Sequence, residues 1–97
     1  MKKIIERNIH YESGLLFFRA DNFRDYLLKN NGEFVAGYSD FEDHLIHIFH
    51  YRKVTICYDS VTQEENIEIN IELVGEENDV GEIERILLEK EKNFEKT

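Results

Sequence analysis

The stretch that decides the fold is Asn66-Ile67-Glu68-Ile69-Asn70-Ile71-Glu72-Leu73-Val74, in which apolar and polar residues alternate without a break. Successive side chains of a β-strand point to opposite faces, so this period of two predicts a strand with an isoleucine row on one face. Glu68, Asn70 and Glu72 then share the other face. We expect one face to be buried and the other to meet water or a binding partner.

A second alternating stretch, Lys53-Val54-Thr55-Ile56-Cys57-Tyr58, precedes it. A polar loop over residues 59–65 is expected to join the two, and so short a connection requires an antiparallel pair. Val54, Ile56 and Tyr58 should share the buried face with the isoleucine row. Thr55 and Cys57 should lie on the other face, beside the carboxylates.

Two amphipathic helices are predicted around these strands. The last runs from an N-cap at Asp79, with Glu82 completing a capping box, and buries a stripe of Val80, Ile83, Leu87 and Phe94. The other begins at Asp21 and ends at Asn30-Asn31-Gly32, with Gly32 in the left-handed conformation.

The remaining segments are predicted from shorter patterns. Strands are expected over 3–11, 15–18 and 34–36. The capping box of Ser39 and Glu42 predicts a helix over 40–51, with Phe41, Leu45, Ile48 and Phe49 on one stripe. The predicted order is therefore β-β-α-β-α-β-β-α. It describes a two-layer α+β domain, a mostly antiparallel sheet with helices on one face and carboxylates on the open face.

Length and composition place limits on the class of protein. The chain has 97 residues, of which 41% are hydrophobic and 34% charged, as expected for one globular domain over 1–97. No apolar run is long enough to cross a bilayer, so no membrane partner is expected. Cys57 is the lone cysteine, which predicts no internal disulfide and a cytoplasmic location.

The negative charge is concentrated in one half of the sequence. Residues 1–58 carry eight acids and eight bases, whereas residues 59–97 carry thirteen acids and four bases, which accounts for the net charge of −9. Phosphate backbones would repel such a surface, so direct nucleic-acid binding is not expected. A basic protein would be attracted to it, although solubility alone explains many acidic compositions equally well.

Histidines and carboxylates cluster on the predicted helix 40–51. Asp40, Asp43, His44, His47 and His50 would all lie on the face opposite its apolar stripe. Imidazole and carboxylate groups are zinc ligands, so Asp43, His44, His47 and His50 form a candidate metal site. Helical metal pairs usually have i, i+4 spacing, and this helix has no such histidine pair, so a solvated polar face is the simpler interpretation.

The sequence contains no pattern typical of a catalytic site or of a cofactor site. Cys57 lies in the middle of a predicted strand, where a thiol packs as a small hydrophobe. The serines lie at turns or caps, and no phosphate loop, nucleophile elbow or dinucleotide motif is present. We therefore expect a non-enzymatic protein without a cofactor.

The leading hypothesis is a small acidic interaction protein of bacterial or phage type that binds a basic, for example nucleic-acid-binding, protein as an inhibitor, immunity protein or nucleic-acid mimic. The alternatives are a metal- or small-ligand-binding module using helix 40–51, as a monomer or a homo-oligomer, and a small oligomeric enzyme or sequestering protein with a site between subunits. The predicted partner-binding residues belong to the strand 66–74 and its flanks: Glu64, Glu65, Glu68, Asn70, Glu72, Glu76 and Glu77.

Overall fold

The computed structural model describes residues 1–40 and 43–94. Within them the elements are β1 (Lys2–His10), α1 (Ala20–Lys29), β2 (Glu33–Asp40), β3 (His44–Tyr51), β4 (Val54–Gln63), β5 (Asn66–Val74) and α2 (Glu77–Phe94). The strands form one sheet in the order β1-β5-β4-β3-β2, and every neighbouring pair is antiparallel. Buried residues of both helices join the core on one face of this sheet, which confirms the two-layer α+β architecture. The predicted order of elements is wrong, because the described order is β-α-β-β-β-β-α.

The isoleucine row of β5 forms the centre of the core. Ile69, Ile71 and Leu73 are almost fully buried, and Ile71 lies opposite Ile5 of β1 and Tyr58 of β4. Val54, Ile56 and Tyr58 are buried beside them, as predicted from the alternation of 53–58. The predicted antiparallel pairing of these two strands is confirmed.

Helix α2 covers the half of the sheet that contains β1 and β5. Val80, Ile83 and Leu87 are fully buried, as its stripe predicts. The helix begins two residues before Asp79, and the Val80 N–H donates to the carbonyl of Glu76 at 2.9 Å, so the predicted N-cap is displaced. Two ion pairs join this helix to β1: Lys3 to Glu84 at 3.7 Å and Arg7 to Glu91 at 2.7 Å.

Helix α1 packs through Phe23 and Leu27, and its C-terminus differs in one detail from the prediction. Asn31, not Gly32, has the left-handed backbone, with a φ of 69°. Gly32 is still required there, because a Cβ atom on it would lie 2.7 Å from the carbonyl oxygen of Leu27. The Gly32 N–H donates to that same oxygen, also at 2.7 Å.

The predicted strand over 15–18 is wrong, because this apolar run is a loop in which Leu15 is exposed and only Phe17 and Phe18 are buried. Phe17 and Phe18 are almost fully buried against Phe23. Side chains satisfy the carbonyls that a strand partner would otherwise bond. Asn22 Nδ2 donates to the carbonyls of residues 14 and 16, and the buried Tyr58 hydroxyl donates to the carbonyl of Phe18 at 2.6 Å.

The predicted helix over 40–51 is also wrong. This segment completes β2 and forms β3, which pair as a hairpin. Phe41 and Glu42, on which the helix prediction partly rested, lie outside the described residues. Leu45 and Phe49 pack on the core, whereas Ile48 lies on the opposite face, paired with Ala36 and Cys57.

Two-residue turns connect β3 to β4 and β4 to β5. Arg52 and Lys53 have φ angles of 48° and 66°, so both central residues of the first turn are left-handed, as in a type I′ turn. Strand β4 continues to Gln63, so the predicted polar loop over 59–65 is reduced to Glu64 and Glu65. Glu64 also has a positive φ, of 57°.

We expect Ile69→Ala to lower the free energy of unfolding by about 2–5 kcal/mol, because it opens a cavity between the sheet and the helices. Asn70→Ala, one position along on the exposed face, is the matched control and should change stability by less than about 0.5 kcal/mol. Chemical denaturation of the two variants measures both values. Equal effects would mean that the faces of β5 are assigned the wrong way round.

A pH dependence follows from His47, whose ring packs between Phe34 and Phe49. Its Nδ1 is buried and has no hydrogen-bond partner among the described residues, and burial, followed by the nearby charge of Arg24, lowers its pKa. The unfolded chain takes up a proton near pH 6.5, and the folded chain resists it. The free energy of unfolding should therefore fall as pH drops below about 6.5, a loss that stops at the lower folded pKa.

Denaturant titrations between about pH 7.5 and about pH 5.5 measure this slope. His47→Leu should flatten it. His50→Gln, at an exposed histidine without an ion pair among the described residues, is the control and should leave the slope as in the wild type. The same slope in His47→Leu as in the wild type would assign the pH dependence to other groups.

Candidate binding surface on the open face of the sheet

The face of the sheet opposite the helices falls into two chemically different halves. Its acidic half, on β1 and β5 with one residue from β4, carries the carboxylate and amide side chains of Glu6, Asn8, Asp59, Glu68, Asn70 and Glu72. Lys2, Ile4 and Val74 lie on the same face at one end of these strands. Its apolar half consists of side chains of β2, β3 and β4: Ala36, Tyr38, Ile46, Ile48 and Val61. The predicted open face with carboxylates on it is thus present, but carboxylates occupy only one half.

Strand β1 adds two residues that were not predicted. Its register places Glu6 opposite Asn70 and Asn8 opposite Glu68, so carboxylate and amide side chains alternate in both directions. Glu6 and Asn8 were missed because nothing in the sequence indicates that β1 pairs with β5, about sixty residues away. The alternation of Ile5 and Ile9 would have placed both on the open face once that pairing was known.

The carboxylates of the acidic half differ in whether a basic side chain lies within ion-pair distance. Glu72 lies 3.8 Å from the ammonium of Lys2, and Asp59 lies 2.8 Å from Nε2 of His44. Within residues 1–40 and 43–94, Glu6 and Glu68 make no ion pair. Uncompensated charge is therefore concentrated at the β1–β5 pair.

Two shallow depressions lie around these uncompensated carboxylates. One depression, of about 480 Å³, is lined by residues of β1 and β5: Glu6, Arg7, Asn8, Glu68, Ile69 and Asn70. The other, of about 430 Å³, is lined by Asn8, Gln63, Glu64, Asn66 and Glu68. They share Asn8 and Glu68 and are open to solvent, a shape that suits side chains of a macromolecule better than an enclosed small ligand.

The acidic residues at the two ends of β5 are far apart. Glu64 and Glu65 form the turn before it, and Glu65 lies 3.7 Å from His10. Glu76 and Glu77 follow it and start α2, where negative charge is favourable because of the helix dipole. Nine strand residues separate the two pairs by roughly 27 Å. A small partner on the acidic half would thus reach Glu64 but not Glu77.

Cys57 lies between the two halves and reports the local potential. Burial raises the pKa of its thiol, and the carboxylates of Glu72 and Asp59 raise it further. A thiol held protonated in this way is a poor nucleophile. Cys57 is partly buried on the open face, the face on which the alternation of residues 53–58 predicts it.

The histidines predicted to form a metal site are divided between the faces of β3. His44 and His50 are on the open face, paired with Val61 and Thr55, whereas His47 points to the helix side, paired with Tyr58. The helical face on which the metal hypothesis rested does not exist, because residues alternate on a strand. Among the described residues, no three His, Cys, Asp or Glu side chains are grouped closely enough to hold a metal ion, and Asp43 is exposed.

No family model, curated protein or solved structure matches the chain. In the part of the chain that the structure describes, neither helix is long and apolar enough to span a membrane.

The thiol of Cys57 provides a direct measure of charge on the open face. Glu72→Gln removes the carboxylate that raises the pKa of the Cys57 thiol more than Asp59 does. The pKa should therefore fall, and the alkylation rate should reach half its maximum at a lower pH. Glu89→Gln, on the outer surface of α2, is the matched control and should leave the profile unchanged. A profile that moves equally in both variants would indicate a response to net charge alone.

Proposed function

We propose that this chain is a non-enzymatic interaction protein whose acidic half binds a basic surface of another protein. The observation that carries the proposal is the pair of adjoining depressions at Asn8 and Glu68, surrounded by the uncompensated carboxylates of Glu6, Glu64 and Glu68. Carboxylate and amide oxygens converge there as hydrogen-bond acceptors, the chemistry that a lysine or arginine side chain requires.

The distribution of ion pairs supports this location over the rest of the acidic surface. Four carboxylates of α2 are each paired with a base: Glu82 with Arg52, Glu84 with Lys3, Glu89 with Arg85, and Glu91 with Arg7. Helix α2 therefore contributes less net negative potential than its sequence indicates. The acidic half retains free charge on a rigid sheet, where it attracts a cationic partner over a distance.

Binding would proceed by electrostatic steering followed by insertion of basic side chains. Complementary charge raises the association rate, and salt screens it. Two cationic side chains entering the two depressions would each form charge-assisted hydrogen bonds with Glu68 or its neighbours. The amide oxygens of Asn8 and Asn70 add hydrogen-bond acceptors beside the carboxylates, so a guanidinium or ammonium would be bound by directed hydrogen bonds as well as by charge.

A nucleic-acid-binding protein is the partner class that this chemistry favours most. Its functional surface is rich in Lys and Arg arranged to contact successive phosphates. An acidic strand pair with carboxylates at regular intervals competes for such a surface. An inhibitor, immunity protein or nucleic-acid mimic would act in this way, and the same carboxylates would repel the nucleic acid itself.

The test compares two variants with the same change in charge. Glu6→Gln with Glu68→Gln neutralises the two carboxylates of the acidic half that make no ion pair among the described residues, and Glu82→Gln with Glu89→Gln neutralises two exposed carboxylates of α2. The wild type and both variants are immobilised and used to capture proteins from cell extract. A protein retained by the wild type and the α2 variant but lost from the open-face variant is the partner.

Association rates are then measured with the purified partner over a salt series. We expect the rate for the wild type to fall steeply with salt and the open-face variant to bind at least about tenfold more weakly, because it loses charge complementarity at the contact. Salt-independent association, or equal losses in the two variants, would contradict the proposal. The negative charge would then serve solubility.

A further inference from the structure

The outer edge of β2 is unpaired in the sheet formed by the described residues. Its sequence from Phe34 to Ser39 contains no charged residue. Phe34, Val35 and Tyr38 remain 41%, 46% and 56% exposed, respectively. An exposed edge strand with apolar side chains is a template for pairing with another strand, because β2 has a neighbouring strand on one side only and residues 34–38 present backbone N–H and C=O groups on the other side.

The opposite edge of the sheet has the features that prevent such pairing. Strand β1 carries a charged or titratable side chain at five of its nine positions: Lys2, Lys3, Glu6, Arg7 and His10. Charged side chains on an edge make the approach of a second strand unfavourable. The two edges of this sheet therefore differ in chemistry, and β2 is the one suited to association.

We infer that a second copy of this chain pairs with β2, antiparallel and about a twofold axis, so that two five-stranded sheets join into one of ten strands. Residues that face each other across an antiparallel pair lie on the same face of the sheet. A symmetric register with Gly37 on the axis meets this condition and places Ala36 opposite Tyr38 of the second copy. The β-bulge between Phe34 and Ala36 lies at one end of the edge, and the register with β3 is regular from Ala36 onward. The regular part of the contact is therefore centred on Ala36, Gly37 and Tyr38.

The distribution of charge favours a second copy over an extended segment of a basic protein. The acidic half lies on β1 and β5, and α2 covers that same end of the sheet, whereas β2 is three strands from β5, roughly 14 Å away. Two molecules that each carry a charge of −9 meet here at their least charged ends. A basic segment would pass acidic residues only at the two ends of β2, Glu33 and Asp40, and none along residues 34–39.

The apolar half of the open face extends the same contact. Tyr38 and Ala36 adjoin Ile46 and Ile48 of β3, which are only partly buried. Joining two sheets at β2 would place two such apolar halves side by side and cover the exposed ring of Tyr38. Tyrosines with this combination of exposed ring and polar end are common anchors of interfaces.

Salt should affect this association in the direction opposite to its effect on a basic partner. Two copies repel each other through their net charge, and screening weakens that repulsion. We expect the dissociation constant of the dimer to decrease several-fold between about 50 and about 500 mM salt. Binding of a basic partner should weaken over the same range. The opposite salt dependences allow dimer formation and partner binding to be tested separately.

Sedimentation equilibrium and light scattering over a concentration series test the inference. We expect the wild type to reach twice the 11.6 kDa mass of one chain. Tyr38→Lys adds charge to the neutral edge and should raise the dissociation constant at least about tenfold. Leu88→Lys, at a 38% exposed position on α2, adds the same charge elsewhere and should leave the dimer intact or, by lowering net charge, strengthen it.

Circular dichroism and thermal unfolding verify that each variant folds. If Tyr38→Lys does not fold, Val35→Lys serves as the second edge variant. A wild type that stays at 11.6 kDa up to about millimolar concentration, where even weak specific dimers form, would overturn the inference. A dimer unaffected by both edge substitutions would overturn it too, because the contact would then lie on another surface. A monomer that accepts an extended segment of a different protein at β2 would likewise contradict it.

Discussion

Burial of the isoleucine row of β5 is the constraint on which the rest of the structure depends. A strand that alternates without a break must remove one face from water while the other stays polar. Here Ile69 and Ile71 meet α2, the buried residues of β4 and the aromatic side chains of residues 17–26. Strand pairing on both sides satisfies the backbone of β5, so Glu68, Asn70 and Glu72 are displayed on a rigid frame.

The parts of the fold that the sequence predicts correctly are those in which one periodicity extends over many residues. Strand β5, most of β4 and both helices follow from such patterns, and so does the open face of β5. Residues 40–51 were misassigned because their apolar positions fit a helix and a strand about equally, and a capping-box match at Ser39 favoured the helix. The turn at Arg52 and Lys53 lacks the glycine or asparagine that normally marks a type I′ hairpin. The sequence therefore gives no local indication that β3 and β4 form a hairpin.

The candidate site was predicted in part, for a related reason. Glu68, Asn70 and Glu72 lie where the alternation of β5 places them, but Glu6 and Asn8 reach the same surface through a pairing between distant parts of the chain. The separation of charge along the sequence is smaller in the folded protein. Bases of the N-terminal half, such as Lys3 and Arg7, lie against acids of the C-terminal half. Counting charges along the sequence therefore overestimates the negative potential around α2. It also fails to show that the unpaired carboxylates are concentrated on one half of the open face.

The register of β1 against β5 has a consequence for the order of folding. Strands β2 to β5 are joined through successive hairpins, which need only short loops to close, whereas Lys2 must find Val74 across almost the whole chain. Closing so long a loop is slow, because chain entropy opposes it until many contacts form together. During synthesis β1 emerges first and remains unpaired until β5 has left the ribosome. The first strand made is therefore among the last to be placed, and the acidic half of the open face is assembled only at that final step.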